Sequence, residues 1–100
     1  MNTPVSPKLD KLLLDMGIDM PVSPTIADVV MWLYEKYGVW IDVDIEGEGF
    51  DIFYFLAYRN HEERVKEYMK KLNDENYHTN YKTPKEAYEA AIEYTLNNLI

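Results

Sequence analysis

Apolar residues at the start of the chain recur at helical spacing. Leu9, Leu12, Leu13 and Met16 form one stripe behind Ser6-Pro7, and Gly17 ends it, which predicts a helix over Pro7–Met16. The start signal Pro-Val-Ser-Pro occurs at Pro4–Pro7 and again at Pro21–Pro24. Serine can accept a bond from an orphan N–H of a first turn, and proline at the first helical position has no N–H to lose. The second copy therefore predicts a helix from about Pro24 to Tyr37, closed by Gly38. Its apolar positions, Ile26, Val29, Val30, Leu33 and Tyr37, are widened by Trp32 and Tyr34, so it reads as the most buried element.

The period then changes to two. Val39, Ile41, Val43 and Ile45 alternate with Trp40, Asp42, Asp44 and Glu46, the pattern of a strand with one face in the core and one acidic face in water. Gly47-Glu48-Gly49 is a turn signal, and Phe50–Arg59 reads as a second strand with apolar side chains on both faces. So short a connection implies an antiparallel hairpin. A strand apolar on both faces is central in its sheet, or covered by helices on one face and by another chain on the other.

Asn60–Asn73 returns to helical spacing, with Val65, Tyr68, Met69 and Leu72 as a narrow apolar face and Asn60/Glu63 as a capping box. Asp74–Lys82 is polar, and Tyr77, Thr79 and Tyr81 at period two suggest a short third strand over 77–82. Thr83-Pro84-Lys85-Glu86 then caps a last helix to about Leu99, with Ala87, Tyr88, Ala91, Ile92, Thr95, Leu96 and Leu99 facing inward. The expectation is one α+β domain over residues 1–100, of order α-α-β-β-α-(β)-α, with a small antiparallel sheet packed against helices.

Composition narrows the chemistry. The 100 residues carry a net charge of −8 and no cysteine. Disulfides, thiolate metal sites and a cysteine nucleophile are excluded. So acidic a chain is not expected to bind nucleic acid directly, because that affinity comes from Lys and Arg. There is no basic start followed by an apolar run and no apolar stretch near ~20 residues, so a cytoplasmic protein without membrane contact is expected.

Candidate sites are few. The run Asp42–Asp51 places acids at three alternating positions before Gly47, as a calcium loop does, but the twelfth position is Phe53 and the flanks are strands. It reads as the wet face of a strand, with an acidic surface of Asp42, Asp44, Glu46 and Glu48 as the functional alternative. His61 and His78 form no ligand pattern and read as solvated, and no metal or cofactor is expected. The two serines, Ser6 and Ser23, read as helix caps, so no enzyme is expected. Nine tyrosines exceed what a core of this size can satisfy, and Tyr and Trp suit interfaces. Trp40 is the leading interface residue, beside Phe53 or Phe55 of the paired strand.

Pro24-Thr25 opening a helix with Trp32-Leu33, then Gly38 and Val39-Trp40-Ile41-Asp42-Val43, resembles a family of small uncharacterised proteins encoded by gut bacteria and by their phages or integrated elements. Tyr81-Lys82-Thr83-Pro84-Lys85-Glu86-Ala87, running on through Ala90, Ala91 and Leu96, is similar to that family's closing strand and helix, and Leu12, Leu13, Gly17 and Pro21 to its opening. The resemblance covers about two-thirds of the chain on motifs that are structural signals. The chain departs from it in His61–Asn73, where a shorter hairpin connection is expected. The resemblance implies no activity and carries over no functional residue.

The expected function is therefore that of a small non-enzymatic accessory protein acting through protein contacts, self-association included. The alternatives are an acidic inhibitor that occupies a nucleic-acid-binding surface of a host protein, and a small-molecule binder with a tyrosine-lined cleft.

Overall fold

A computed structural model describes residues 3–46, 52–74 and 76–100. Its elements are α1 (Pro7–Asp15), α2 (Ile26–Tyr37), β1 (Trp40–Glu46), β2 (Ile52–Tyr58), α3 (His61–Asn73) and α4 (Pro84–Asn98). The domain is α+β, in the order α-α-β-β-α-α. The turn at Gly47–Gly49, Glu48 and the first two residues of the expected second strand lie outside the described residues.

Local chemistry sets the helix ends. Ser6 caps α1 as the sequence suggests, its side chain accepting from Leu9 N at 3.3 Å. The second Ser-Pro does not act in the same way. Thr25 caps α2, its Oγ1 accepting from Asp28 N at 3.2 Å while Asp28 Oδ2 accepts from Thr25 N at 2.9 Å. Pro24 is instead part of a short extended pairing with the N-terminal segment: Val5 N donates to Pro24 O at 3.0 Å and Ile26 N to Thr3 O at 2.9 Å. That pairing holds residues 24–25 extended and delays the helix. Gly38 ends α2 at φ 68°, a left-handed conformation that glycine adopts without a Cβ penalty.

β1 and β2 pair antiparallel, with Trp40 opposite Tyr58, Asp42 opposite Leu56 and Val43 opposite Phe55. Among the described residues the sheet has two strands. Residues 77–82 do not form the suggested third. Phe53 and Tyr81 exchange two backbone bonds, of 2.7 and 3.2 Å, and Phe55 N donates to His78 O at 3.1 Å. The positive φ angles of His78 and Asn80, 50° and 75°, break the extended run between those contacts. The edge of β2 is covered, but not by a strand.

One face of the sheet carries Ile41, Val43, Phe55 and Ala57 into the main core with Leu33, Val29 and Ile92. α4 contributes Ala87, Ala91, Ile92, Thr95 and Leu96, all buried, and the small residues let it lie close across both strands. Thr95 satisfies its buried hydroxyl by donating to Ala91 O at 2.8 Å. The other face carries Asp42, Asp44, Tyr54, Leu56 and Tyr58, and α3 packs there. β2 is thus not central, and it is α3, a helix of the same chain rather than another chain, that lies on its second face opposite α4. Among the described residues no helix is long and apolar enough to cross a membrane.

Candidate protein-contact face

α3 begins two residues after β2, so its position is fixed by the strand end and its cap. Asn60 Oδ1 accepts from Glu63 N at 2.9 Å, and Glu63 Oε2 accepts from Arg59 N at 2.8 Å. What remains free is the rotation of the helix about its axis, which decides the stripe that meets the sheet.

The sheet settles that choice by its charges. Burying Asp42 and Glu46 under an apolar stripe would cost several kcal/mol in lost hydration. Arg64 and Lys71 meet them instead. Arg64 Nε lies 3.0 Å from Asp42 Oδ2, and Lys71 Nζ lies 3.0 Å from Glu46 Oε1. The two pairs form together because their spacings agree. Four residues along a strand cover ~13 Å, and seven along a helix cover ~10 Å. The long lysine side chain makes up the difference, and its ammonium sits over the Tyr54 ring with Nζ 4.2 Å from the centroid.

Charged and apolar stripes of α3 have therefore exchanged the places that periodicity alone assigns. The least exposed residues of α3 are Glu63, Glu67 and Lys71, one every fourth position. Val65, Tyr68, Met69 and Leu72 are 41–56% exposed, and α3 buries no residue fully. Glu67 accepts from the Tyr77 hydroxyl and, at 3.3 Å, from Lys70 Nζ. Beside the apolar stripe, between α3 and the segment that follows it, runs an open groove of about 620 Å³, lined by Val65, Met69 and Tyr77 with Lys66, Lys70, Asn73 and Asp74.

Asp42 is the most connected carboxylate of the sheet. It accepts from Trp40 Nε1 at 3.2 Å, from the Tyr58 hydroxyl at 2.9 Å and from Arg64. Burial pushes the Tyr58 hydroxyl up to about 12, and the bond to Asp42 adds to that shift. Asp44 is exposed and caps the N–H of its neighbour Ile45 at 2.8 Å. The expected acidic surface is thus divided: Asp42 and Glu46 are paired with α3, Asp44 faces water, and Glu48 lies outside the described residues.

The expected aromatic patch is divided as well. Trp40 is partly exposed on the α3 face, as its place in the alternation implies. Phe53 and Phe55 point to the opposite face, and Phe55 is buried in the core. Trp40 meets Tyr34 instead, ring centroids 5.1 Å apart and edge to face. Pairing register decides this: Trp40 lies opposite Tyr58, an odd number of residues from both phenylalanines.

The histidines part company too. His61 is exposed as expected, but His78 is not solvated. Its ring lies 4.3 Å from Phe55, 4.0 Å from Tyr77 and 4.5 Å from Tyr94, centroid to centroid. Its Nε2 is buried and has no hydrogen-bond partner among the described residues, and burial holds its pKa below the ordinary value. Tyr77 is pushed up by burial and by its bond to Glu67. Among the described residues no group of three or more His, Asp or Glu side chains is placed to hold a metal ion.

Sequence reasoning missed Arg64 and Lys71 as the residues by which α3 meets the sheet. A signal for them exists: they recur at helical spacing beside a strand that carries acids at every second position. Compared with protein-family models, with curated proteins and with solved structures, the chain matches none.

Proposed function

We propose that this protein is a non-enzymatic binding module that works through protein–protein contacts, and that the outward face of α3 makes them. The observation that carries this reading is the exposed stripe Val65, Tyr68, Met69 and Leu72 on a helix held by its charged side. Four large apolar side chains at i, i+3, i+4 and i+7 are the anchors by which one helix meets another. The chain as a whole is strongly acidic, yet five of its ten Lys and Arg residues fall between 59 and 71. Lys66 on the groove favours an acid beside the partner's apolar anchors, since Lys70 is paired with Glu67 and Asp74 lines the far end. The non-enzymatic part of the reading is supported by what the usual chemical groups are doing: Ser6 is a helix cap and His78 is stacked among rings.

An acidic inhibitor draws less support, since Asp42 and Glu46 already face Arg64 and Lys71.

The test is a photoreactive side chain introduced at position 69 or 72, with Val22→photoreactive as an exposed control far from α3. Crosslinks to a second copy or to one acidic partner from positions 69 and 72, abolished by Val65→Asp and absent from position 22, are expected. A strictly monomeric protein that crosslinks no more at 69 and 72 than at 22 would sink the reading.

A further inference from the structure

A second depression, of about 420 Å³, opens where the end of α2, the start of β1 and the junction of β2 with α3 come together. Tyr34, Trp40 and Tyr58 line it, together with Arg59, His61 and Arg64. In a chain of net charge −8, a concavity lined by two arginines and aromatic rings is a local reversal of sign.

Its geometry is held in place before any ligand arrives. Trp40 is oriented by its Nε1 bond to Asp42, and Tyr34 meets its ring edge to face. These two rings are 38% and 48% exposed, so aromatic surface is left uncovered. Arg64 is clamped to Asp42 through Nε. A guanidinium has five N–H donors in a planar fork, and a contact through Nε leaves those of the terminal nitrogens. Arg59 is anchored by a bond from Nη2 to Leu99 O at the end of α4. Asp42, the acid beneath the site, already accepts from Trp40, Tyr58 and Arg64. In the first turn of α3, Glu63 N is already taken by Asn60 Oδ1.

We infer that this depression is a ligand site for a flat aromatic ring that bears an anionic group, phosphate or carboxylate. The ring stacks against Tyr34 and Trp40, where offset or edge contacts between rings are favourable. The anion faces Arg59 and Arg64, whose charged N–H groups form the stronger class of hydrogen bond, with His61 beside them. The site shares no apolar anchor with the outward stripe of α3, so the two readings stand or fall separately.

The experiment is a two-dimensional amide and indole NMR titration of the full chain with three probes: adenosine monophosphate, indole-3-acetate and uncharged adenosine. The indole N–H of Trp40 reports on the site, and that of Trp32, which packs against Tyr37, is the internal control. A saturable shift of Trp40 and not of Trp32 is expected with at least one anionic probe, with adenosine weaker by ~10-fold for want of the charged contacts. The better anionic probe distinguishes a phosphate from a carboxylate source. Arg59→Gln is expected to weaken binding ~10-fold by removing a charged donor. Tyr34→Ala, on the exposed side of α2, is expected to weaken all probes by removing the ring contact. No shift of Trp40 with either anionic probe overturns the inference. So does binding that neither substitution alters.

Discussion

Arg64 Nε sits 3.0 Å from Asp42 Oδ2, although twenty-two residues separate them along the chain. This contact and its counterpart at Lys71 hold α3 on the sheet by charge, and the apolar stripe of the helix is turned to the outside as a result.

The two partners of that contact are not equivalent. Asp42 also accepts from Trp40 and from the half-buried Tyr58 hydroxyl, so Asp42→Ala leaves three donors without their acceptor. Its expected cost is about 1–3 kcal/mol. Arg64 has a side chain 47% exposed, and Arg64→Gln removes a solvent-screened ion pair with an expected cost below about 1 kcal/mol. Urea unfolding of both variants checks the order. Equal losses would mean that the ion pair alone, and not the three-donor hub, matters at Asp42.

At the other end of α3 the asymmetry reverses. The Lys71 side chain is 8% exposed and that of Glu46 is 37% exposed. Glu46→Gln strands a buried ammonium and is expected to cost about 1–3 kcal/mol. Lys71→Met gives up the ammonium over Tyr54 but keeps most of the apolar stem, and the carboxylate it leaves behind can be hydrated. Melting temperatures should therefore fall more for Glu46→Gln than for Lys71→Met. The opposite order would show that Lys71 is held by its charge rather than by its stem.

Most of the fold is legible in the residues because each element has its own local signal. The alternation of Val39–Glu46, the cap Thr83–Glu86 and the stop at Gly38 each match an observed boundary within a residue or two. What escapes a reading of this kind is rotation and register. Whether α3 presents Val65 or Lys71 to the sheet depends on the acids of a strand some twenty residues away. Whether Trp40 meets Phe55 depends on which residue of β2 lies opposite it. His78 was hidden for a similar reason: its polar neighbourhood in sequence becomes a cage of Phe55, Tyr77 and Tyr94 only after α4 has docked.

The start of α2 gives a direct contrast between two hydroxyls. Thr25→Ala removes the real cap and is expected to cost about 1 kcal/mol. Ser23 is exposed, with φ 53°. Ser23→Gly should be neutral or stabilising by a few tenths to about 1 kcal/mol, since glycine adopts a left-handed backbone without a Cβ penalty. Thermal unfolding of the two single variants decides it. A loss at Ser23→Gly as large as at Thr25→Ala would place the cap at Ser23 after all.

His78 makes stability depend on pH in a stated direction. Burial lowers its pKa from the ordinary 6.5; Lys70 adds to that shift and Glu67 opposes it, and the other titratable groups facing the ring are Tyr77 and Tyr94. The folded chain therefore binds this proton less readily than the unfolded chain. Its contribution is complete above the unfolded value and is lost as pH falls from there through the folded pKa. Urea unfolding from about pH 8 to about pH 5 should show declining stability over a range where unperturbed carboxylates are mostly ionised. His78→Asn, which tolerates the positive φ, should flatten that decline. An unchanged slope in the variant would assign the pH dependence to other groups.

The orientation of α3 itself is open to the simplest substitution. Met69 and Leu72 are 50% and 56% exposed. Had the helix packed by its apolar stripe, Leu72→Ala or Met69→Ala would cost about 2–5 kcal/mol, the range for truncating a buried side chain. With the stripe outside, each is expected to change the stability of the isolated monomer by less than about 1 kcal/mol, while Met69→Asp and Leu72→Asp remain folded. Lys71→Ala, on the opposite side of the same helix, should cost more than either alanine variant. Equilibrium unfolding at low protein concentration measures all of them. Large losses at positions 69 and 72 together with a small one at 71 would mean that the helix is rotated by about half a turn, with its apolar side on the sheet.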